Sequence, residues 1–537
     1  MDAEKIINKV GYLKTERANF ETHWQEIADY ILPRKNDIID TKYPGVKRNF
    51  QVLDNTGMQS CELLAGALHS MLTNPTGYWF ELMTGESEID KRDDARKWFQ
   101  ETTSIMHDVF NQSNFQTEVH ETYLDLAGFG TAPLFIADDM ENVVNFEARF
   151  LKEVFICENN KGLVDEVYRE FEWDVKKIIQ EFFDIEEMKA KMPDRLKKCV
   201  EDNKYEVKFK IIHAVYPMKM YGDYNSDFKF CSKYILIDDK FELRKDFYYE
   251  NPWIVPRWSK ASGEVYGRSP GMTALPEVKT VNLMTETMII GAQKTIDPPI
   301  MMPDQGFILP IKTKPGSINY RRSGSRDERI EPIFDNLRID FGFPLIESHT
   351  KRIREAFFVD QLQLGSGPQM TATEVNQRTE EKMRLLAPML GRMHFEFLRP
   401  LVDRVFGILS RKNLLPAPPR VLQGKELKVR YSSAIAKIQR MSEANNIMRV
   451  MSAVSPFVQM DQTTLDNFNG DAAIRGIAQM YSFPQDWLND QDQVEEIRAQ
   501  RAEQQQKAME MQMQEAQAKA AGAAAPMAQV MQQAEEG

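Results

Sequence analysis

Cysteine is scarce in this chain: Cys61, Cys157, Cys199 and Cys231 lie far apart in 537 residues and form no C-x-x-C pair. That spacing argues against a zinc cluster or a secreted disulfide scaffold and favours a reducing compartment. Long apolar runs are missing too. No stretch approaches the roughly 18 to 20 apolar residues that cross a bilayer. The opening MDAEKIINKV has no apolar core behind its charges, so neither a signal peptide nor a membrane span is expected and the chain reads as soluble. Nor is there an excess of positive charge, since 68 basic against 80 acidic residues leave −12. Proteins that grip nucleic acid over their whole surface do so with basic side chains that displace counterions, and this balance does not supply them.

Catalytic and metal signatures are equally thin. The seven histidines, His23, His69, His107, His120, His213, His349 and His394, include no pair at i, i+4 and no H-E-x-x-H, so packing or surface roles are expected and no metal site is assigned. Asp138-Asp139 and Asp238-Asp239 fall where strands should end, and solvated turns are expected there in preference to cation sites. Gly267-Arg268-Ser269-Pro270-Gly271 fits G-x-S-x-G, with Asp297 and His349 following in the order a hydrolase needs. Yet the residue after the serine must lend its backbone N–H to the oxyanion, and Pro270 has none. A structural turn is expected there, with no catalytic residue and no cofactor; a serine hydrolase using Ser269 stays as the alternative. The stretch LGSGPQMTATEVNQRTEEK, residues 364–382, sets a glycine-rich loop against a helix start, which is where phosphates bind. It lacks the lysine and hydroxyl of G-x-x-x-x-G-K-[ST], so neither a nucleotide site nor ATP hydrolysis is expected.

What is present is globular in class, with 42% hydrophobic and 28% charged residues and length for two to four domains. Apolar spacing predicts a helix over 2–32 stopped by Pro33, and further helices over 54–73, 89–111 and 114–128. From 131 to 258 the text turns β-branched and aromatic, as in KYEVKFKIIHAVY, and reads as a mostly antiparallel sheet with one helix at 174–190. Two rods follow, at 276–296 and 344–363, each roughly 30 Å long. Between them lies a Pro-, Gly- and Arg-rich insert, a non-helical tip on a helical stalk. Thr371 and Glu374 form a capping box for a helix running to about 411 and kinked at Pro388 and Pro400. The stripes on these rods ask for more neighbours than one chain offers, which favours a multi-subunit assembly. The last forty or so residues, rich in Ala, Glu, Gln and Met, read as a frayed helix or, by preference, a disordered tail.

Four segments carry a family resemblance: LHSMLTNPTGYWFEL at 68–82, YLDLAGFGTAPLFI at 123–136, GEVYGRSPGMTALPEVKTVN at 263–282, and MTATEVNQRTEEKMRLLAPMLGRMHFEFLRPLVDRVFGIL at 370–409. In order and spacing around two stem-like helices, they resemble the portal, or head-to-tail connector, proteins of short-tailed bacteriophages. The resemblance implies an α+β, predominantly helical ring subunit, usually one of twelve, at one capsid vertex. Its regions would be a wing over 1–265, stem helices over 266–298 and 337–363, a clip over 299–336 and a tunnel loop over 364–371. A long kinked wing helix would occupy 372–411, a crown-like region 412–497 and a low-complexity tail 498–537.

The family reading further implies a channel for double-stranded DNA during packaging and ejection. The tunnel-loop residues would be Gln363, Gly365, Ser366, Gly367 and Gln369, whose short polar or absent side chains suit a surface that must let DNA slide. Clip residues Lys312, Lys314, Arg321, Arg322, Arg326 and Arg329 would steer DNA or dock on acidic partners; a solvated loop neutralised by Asp327 and Glu328 is the alternative for these arginines. The implied partners are the terminase large subunit, the major capsid protein and scaffold, and a tail adaptor or tube protein, with no membrane. The location would be the virion, after assembly in the host cytoplasm. A scaffold or internal core protein is the remaining alternative, and it should lack the sheet expected over 131–258.

Overall fold

The computed structural model describes residues 1–40, 43, 45–48, 52–90, 92–140, 142–183, 192–222, 227–301, 310–311, 318, 320, 331–332, 342–362, 388–424, 427–431, 447–454, 469–480, 483, 487–489 and 491–535. They form two compact units. The first comprises 1–79, 105–415 and 431–435, and the second 80–104, 416–430 and 436–537.

In chain order the helices of the N-terminal part are α1 (Ala3–Tyr30), α2 (Thr56–Leu72), α3 (Ser87–Asp90), α4 (Asp93–Gln112) and α5 (Phe115–Phe129). The expected helices match within a few residues, except that 89–111 is split into α3 and α4. The β-rich stretch gives two antiparallel sheets in the first unit. One orders its strands β3-β2-β9, from β2 (Leu134–Asp138), β3 (Val144–Ala148) and β9 (Trp253–Ile254). The other is a meander of β4 (Val154–Glu158), β5 (Val164–Asp174), β6 (Lys208–Pro217), β7 (Phe230–Leu236) and β8 (Phe241–Tyr248).

The meander is covered on both faces, and β6 shows why. Successive strand side chains point to opposite faces. Ile212, Ala214 and Tyr216 meet Ile6, Val10 and Leu13 of α1. Phe209 and Ile211 meet Val175, Ile178 and Ile179 of α6 (Val175–Phe182) and Leu196 of α7 (Asp194–Glu201). A strand buried on both faces reads as a nearly continuous apolar run, as KFKIIHAVYP does. Asp174 caps α6 by accepting from Lys177 N at 2.8 Å. The helix expected at 174–190 is α6; residues 184–191 lie outside the described residues.

After the short α8 (Met218–Tyr221) come the two rods, α9 (Pro270–Ile296) and α10 (Gly342–Ala356), the second continued by α11 (Val359–Leu362). Asp297-Pro298-Pro299 ends α9 as expected. The long helix expected over 371–411 is described only from Pro388. Its Pro400 leaves the Glu396 carbonyl without an N–H donor, and the preceding turn, His394–Leu398, widens to a π-helix in which Arg399 N donates to His394 O. It continues as α12 (Arg399–Arg411).

In the second unit β1 (Phe80–Met83) pairs with β12 (Lys428–Tyr431). Asp90 holds the turn after β1 by accepting from Thr84 N, Thr84 Oγ1 and Gly85 N at 2.9, 2.7 and 3.0 Å. This unit also carries α13 (Gly470–Met480) and α14 (Gln491–Glu535). The disordered tail preferred from composition is instead helix, in keeping with the high helix propensity of Ala, Glu, Gln and Met.

Candidate functional site

Two glycine-bearing segments interlock at the foot of α9. A Cβ on Gly267 would sit 2.1 Å from the Gly130 carbonyl oxygen, and one on Gly271 would sit 2.7 Å from that of Gly128, so only glycine lets the backbones meet. Gly130 itself has φ 81° and closes α5. Polar bonds complete the joint. Gly267 N donates to Thr131 Oγ1 at 2.8 Å, and Trp258 N donates to Gly130 O at 2.9 Å. Ser269 is buried here. Its Oγ donates to Gly128 O at 2.6 Å and accepts from Met272 N at 2.9 Å. The serine of the hydrolase-like motif is therefore the N-cap of α9, and its hydroxyl is committed at both donor and acceptor.

Beside this joint Arg257 is completely buried and all of its guanidinium nitrogens are bonded. Nε and Nη2 donate to the two carboxylate oxygens of Glu396 at 3.0 and 2.9 Å, Nη1 to Glu158 at 2.7 Å, and Nη1 and Nη2 to the carbonyls of Val265 and Gly162 at 3.0 and 2.7 Å. Lys260 binds Glu158 at 2.6 Å and Arg392 binds Glu396 at 2.8 Å. Burial pushes the Glu158 carboxyl up, but Lys260 and Arg257 together hold it below its usual value. The network ties the β4–β5 hairpin, the approach to α9 and the π turn before α12 into one block.

From this block α9 and α10 run side by side in opposite directions. Glu277 meets His349 Nδ1 at 2.5 Å and Arg352 at 3.5 Å, while farther out Gly342 lies against Met288. The hydrogen bond from His349 is the main cause holding the Glu277 carboxyl below its usual range. The inner part of α9 is anchored, with Val278 and Val281 buried and Lys279 paired with Glu26 at 2.7 Å. Beyond Val281 no side chain of α9 is buried, and in α10 only Ile353 is. Large apolar side chains stand in the open there, Leu283 at 63% and Phe343 at 64% exposure, with Ile289, Ile290 and Leu345 also exposed. Past the rods β10 (Ile300–Met301) pairs antiparallel with β11 (Glu331–Pro332), so the two ends of the insert are clasped at its base.

The residues singled out from sequence for the insert, Lys312, Lys314, Arg321, Arg322, Arg326 and Arg329, lie outside the described residues. So do Gln363, Gly365, Ser366, Gly367 and Gln369. Of the acidic pairs, Asp138-Asp139 is met by a lysine. Lys412, just after α12, pairs with Asp138 and donates to the Asp139 carbonyl, both at 2.5 Å, and donates to the Val143 carbonyl at 3.2 Å. An ammonium thus sits in the turn, and Val143 there holds φ 67°, costly for a β-branched residue. Asp238 pairs with Arg195 at 2.6 Å. Among the described residues no group of three or more His, Cys, Asp or Glu could hold a metal ion.

Sequence reasoning missed Arg257, Glu158, Glu396 and Lys412, and also Arg17, a buried arginine that donates to the carbonyls of Leu151, Lys152 and Val154 at 3.0, 2.8 and 2.7 Å. No local pattern marks them, because apart from the ordinary i,i+4 pairs Arg17–Glu21 and Arg392–Glu396 their partners are remote in sequence.

Residues 3–488 match the family described as "Bacteriophage head to tail connecting protein". A "Probable portal protein" of Bordetella phage BPP-1 is 31% identical over 513 residues, covering 94% of this chain and 92% of the relative. A "Portal protein" of Salmonella phage epsilon15 is 28% identical over 523 residues, with the same coverage of each chain. Among solved structures, a chain of the "Virion of native gene transfer agent (GTA) particle" is similar at 10% identity and TM-score 0.33, covering 74% of this chain and 86% of that one.

Proposed function

This chain belongs to the bacteriophage head to tail connecting protein family, and we propose that it is the portal subunit of a tailed phage. It forms a ring at one capsid vertex, through which double-stranded DNA enters during packaging and leaves during ejection. The observation that carries this reading is the pair α9 and α10. The foot of α9 is locked by the glycine joint beside the Arg257 network and α10 is tied to α9 through His349 and Glu277, yet both are bare and apolar along their outer halves, as a surface completed by neighbouring subunits must be.

In this reading α9 and α10 are the stem, twelve of which line the channel, and the insert clasped by β10 and β11 is the clip. Lys312, Lys314, Arg321, Arg322, Arg326 and Arg329 meet the terminase large subunit and later the tail adaptor or tube protein. Gln363, Gly365, Ser366, Gly367 and Gln369 form the tunnel loop that yields as DNA slides, with the capsid protein and scaffold around the wing. Assembly takes place in the host cytoplasm. On the described rods the charges nearly cancel. Glu277, Lys279, Glu286 and Lys294 stand on α9, and Glu347, Lys351, Arg352, Arg354 and Glu355 on α10. Such a surface releases few counterions from DNA and so holds it weakly.

Native mass spectrometry with negative-stain imaging tests the ring. A closed ring with an axial hole of roughly 20 Å or more, wide enough for a duplex, is expected. A compact monomer that stays so with capsid protein and scaffold present would refute the reading. Deleting residues 365–370 should leave the ring intact and impair in vitro packaging; normal packaging would remove the tunnel-loop role.

A further inference from the structure

The second rod is broken where nothing in its sequence breaks it. Residues 345–363 contain neither Gly nor Pro, and the run from Arg354 to Leu362, REAFFVDQL, suits a helix that simply continues. Sharp bends in helices almost always fall at Pro, at Gly or Ser pairs, or at a π-bulge. Yet α10 stops at Ala356 and α11 starts at Val359. Between them Phe358 holds φ 59°, a left-handed conformation that an aromatic residue rarely adopts. Phe358 N donates to Glu355 O at 3.0 Å, three residues back, and Gln361 N and Leu362 N both donate to Phe358 O, at 3.1 and 3.0 Å.

The bend re-phases the buried stripe. Ile353 and Phe357, four apart, are fully buried, and a straight helix would turn Asp360 and Gln361 inward next. The left-handed residue brings Val359 to that seat instead, 1% exposed, and leaves Asp360 in solvent, while α11 packs against α2. Phe358 itself rests on Trp258, with ring centroids 6.2 Å apart. The exposed Asp360 then meets Arg354, whose Nε and Nη2 both lie 3.0 Å from its Oδ1. Residues six apart on one helix stand roughly 240° apart around the axis and about 9 Å along it, so this pair forms only at a bend. Against these contacts stand the strain at Phe358 and the Gln361 Oε1 atom, buried without a partner.

We propose that residues 354–362 are a two-setting joint through which the second rod is coupled to α2. In the bent setting, described above, Val359 is seated and α11 packs against α2. In the straight setting Phe358 is right-handed, α10 and α11 run as one helix over 342–362, Gln361 takes the seat, and Val359 leaves it with α11. The opposing terms are of similar size. Left-handed strain weighs roughly 5- to 30-fold against the bend. Burial of a valine weighs roughly 10- to 100-fold for it, and the exposed ion pair adds at most about fivefold. The bend prevails, and because the straight helix is longer, a pull along the rod favours straightening. The joint is a property of the single chain and stands apart from the ring reading.

The test reads how often residue 359 leaves its seat. Val359→Cys is made in the full chain, and its alkylation by a maleimide is followed on the peptide that carries residue 359, so the four native cysteines do not interfere. Phe358→Gly or Phe358→Ala is then added. Both lose the ring, but glycine accepts the left-handed turn and disfavours helix, whereas alanine does the reverse, so the Phe358→Ala chain should react about tenfold faster or more than the Phe358→Gly chain. Arg354→Gln, which removes the pair across the bend, should raise the rate by up to about fivefold. Backbone amide exchange over 357–362 should not rise with the labelling, because the straight setting is helical. The Phe358→Gly chain, held in the bent setting, is the folded reference. Equal rates in the Gly and Ala chains would overturn the joint, and so would labelling that rises together with amide exchange, which is local unfolding.

Discussion

Removing the Arg257 side chain should be among the most damaging single changes at the foot of the rods. Arg257→Met keeps most of the aliphatic volume and deletes five hydrogen bonds, all of 3.0 Å or less, three to carboxylates and two to carbonyls. It strands Glu396, whose side chain is 8% exposed, and Glu158, at 17%. Breaking a buried ion pair by deleting one partner costs about 3–5 kcal/mol, because the remaining charge is desolvated without compensation. Lys260 and Arg392 still hold one carboxylate each, so the lower end, about 3 kcal/mol, is expected. Urea denaturation of the full chain, followed by tryptophan fluorescence, reads the loss. Hydrogen exchange across residues 156–164 and 392–400 shows whether it is local to the network. Adding Glu396→Leu to Arg257→Met removes the stranded charge, so the double variant should be more stable than Arg257→Met alone. A loss below about 1 kcal/mol for the single variant, or strict additivity in the double, would refute the claim that this cluster acts as one unit.

Three further outcomes follow from other buried polar groups. Lys35 lies 2.5 Å from the buried Asp125 and 3.3 Å from Glu121, so Lys35→Met should cost about 3 kcal/mol; Lys35→Met, Asp125→Leu should recover much of it by the same urea assay, and no recovery would count against the pairing. Ser269→Ala removes a helix cap and a bond to Gly128, a loss of about 1–3 kcal/mol, and should leave turnover of an ester and peptide panel at background; a real turnover abolished by the change would restore the hydrolase reading. His213 stacks on Tyr234 at 4.1 Å, and burial, with Arg169, Arg244 and Arg149 nearby, keeps its imidazole neutral to well below its ordinary value. A histidine depressed in the folded state binds its proton more readily when unfolded, so its contribution is intact above about pH 6.5 and is lost progressively as pH falls toward the folded value. The thermal midpoint should fall less between about pH 7 and pH 5 in His213→Gln, which can still bond Ser232; parallel curves would refute the assignment.

What could be read from the sequence was what the chain encodes locally. The apolar stripes and the Asp297-Pro298-Pro299 stop mark α9 to within a residue at its end, because helix periodicity and proline chemistry act over a few residues. The sheet over 131–258 was legible for the same reason, and Pro270 was enough to question Ser269 as a nucleophile. The docking of the Gly128–Gly130 segment onto Gly267–Gly271 was half legible. Gly267–Gly271 reads as a turn and Gly128–Gly130 as the end of a helix, but nothing in either says that the other is its partner. The Arg257 network was not legible at all, since Glu158 and Glu396 stand 99 and 139 residues away and a lone arginine before WSK looks like any surface cation. The preference for a disordered tail gave low complexity more weight than helix propensity, and α14 shows the latter.

The uneven burial of α9 and α10 has a consequence for how the ring assembles. Leu283, Ile289, Ile290, Phe343 and Leu345 are each about half exposed, and full burial of such a side chain stabilises by about 1.5–3 kcal/mol, so covering what remains open yields roughly 1 kcal/mol apiece. About 5 kcal/mol per interface only matches the lower range of the roughly 4–15 kcal/mol that association costs in lost freedom. An open pair of subunits is then marginal. A closed ring gives every subunit two interfaces, and the last subunit gains a second contact for the same loss of freedom. Assembly should accordingly be nearly all-or-none. Native mass spectrometry across a concentration series should show monomers and closed rings with few species between, and Leu283→Ser with Ile290→Ser should move the whole transition to higher concentration. A ladder of abundant dimers, trimers and tetramers at equilibrium would show that single interfaces are strong, and that these exposed side chains are not where most of the assembly energy resides.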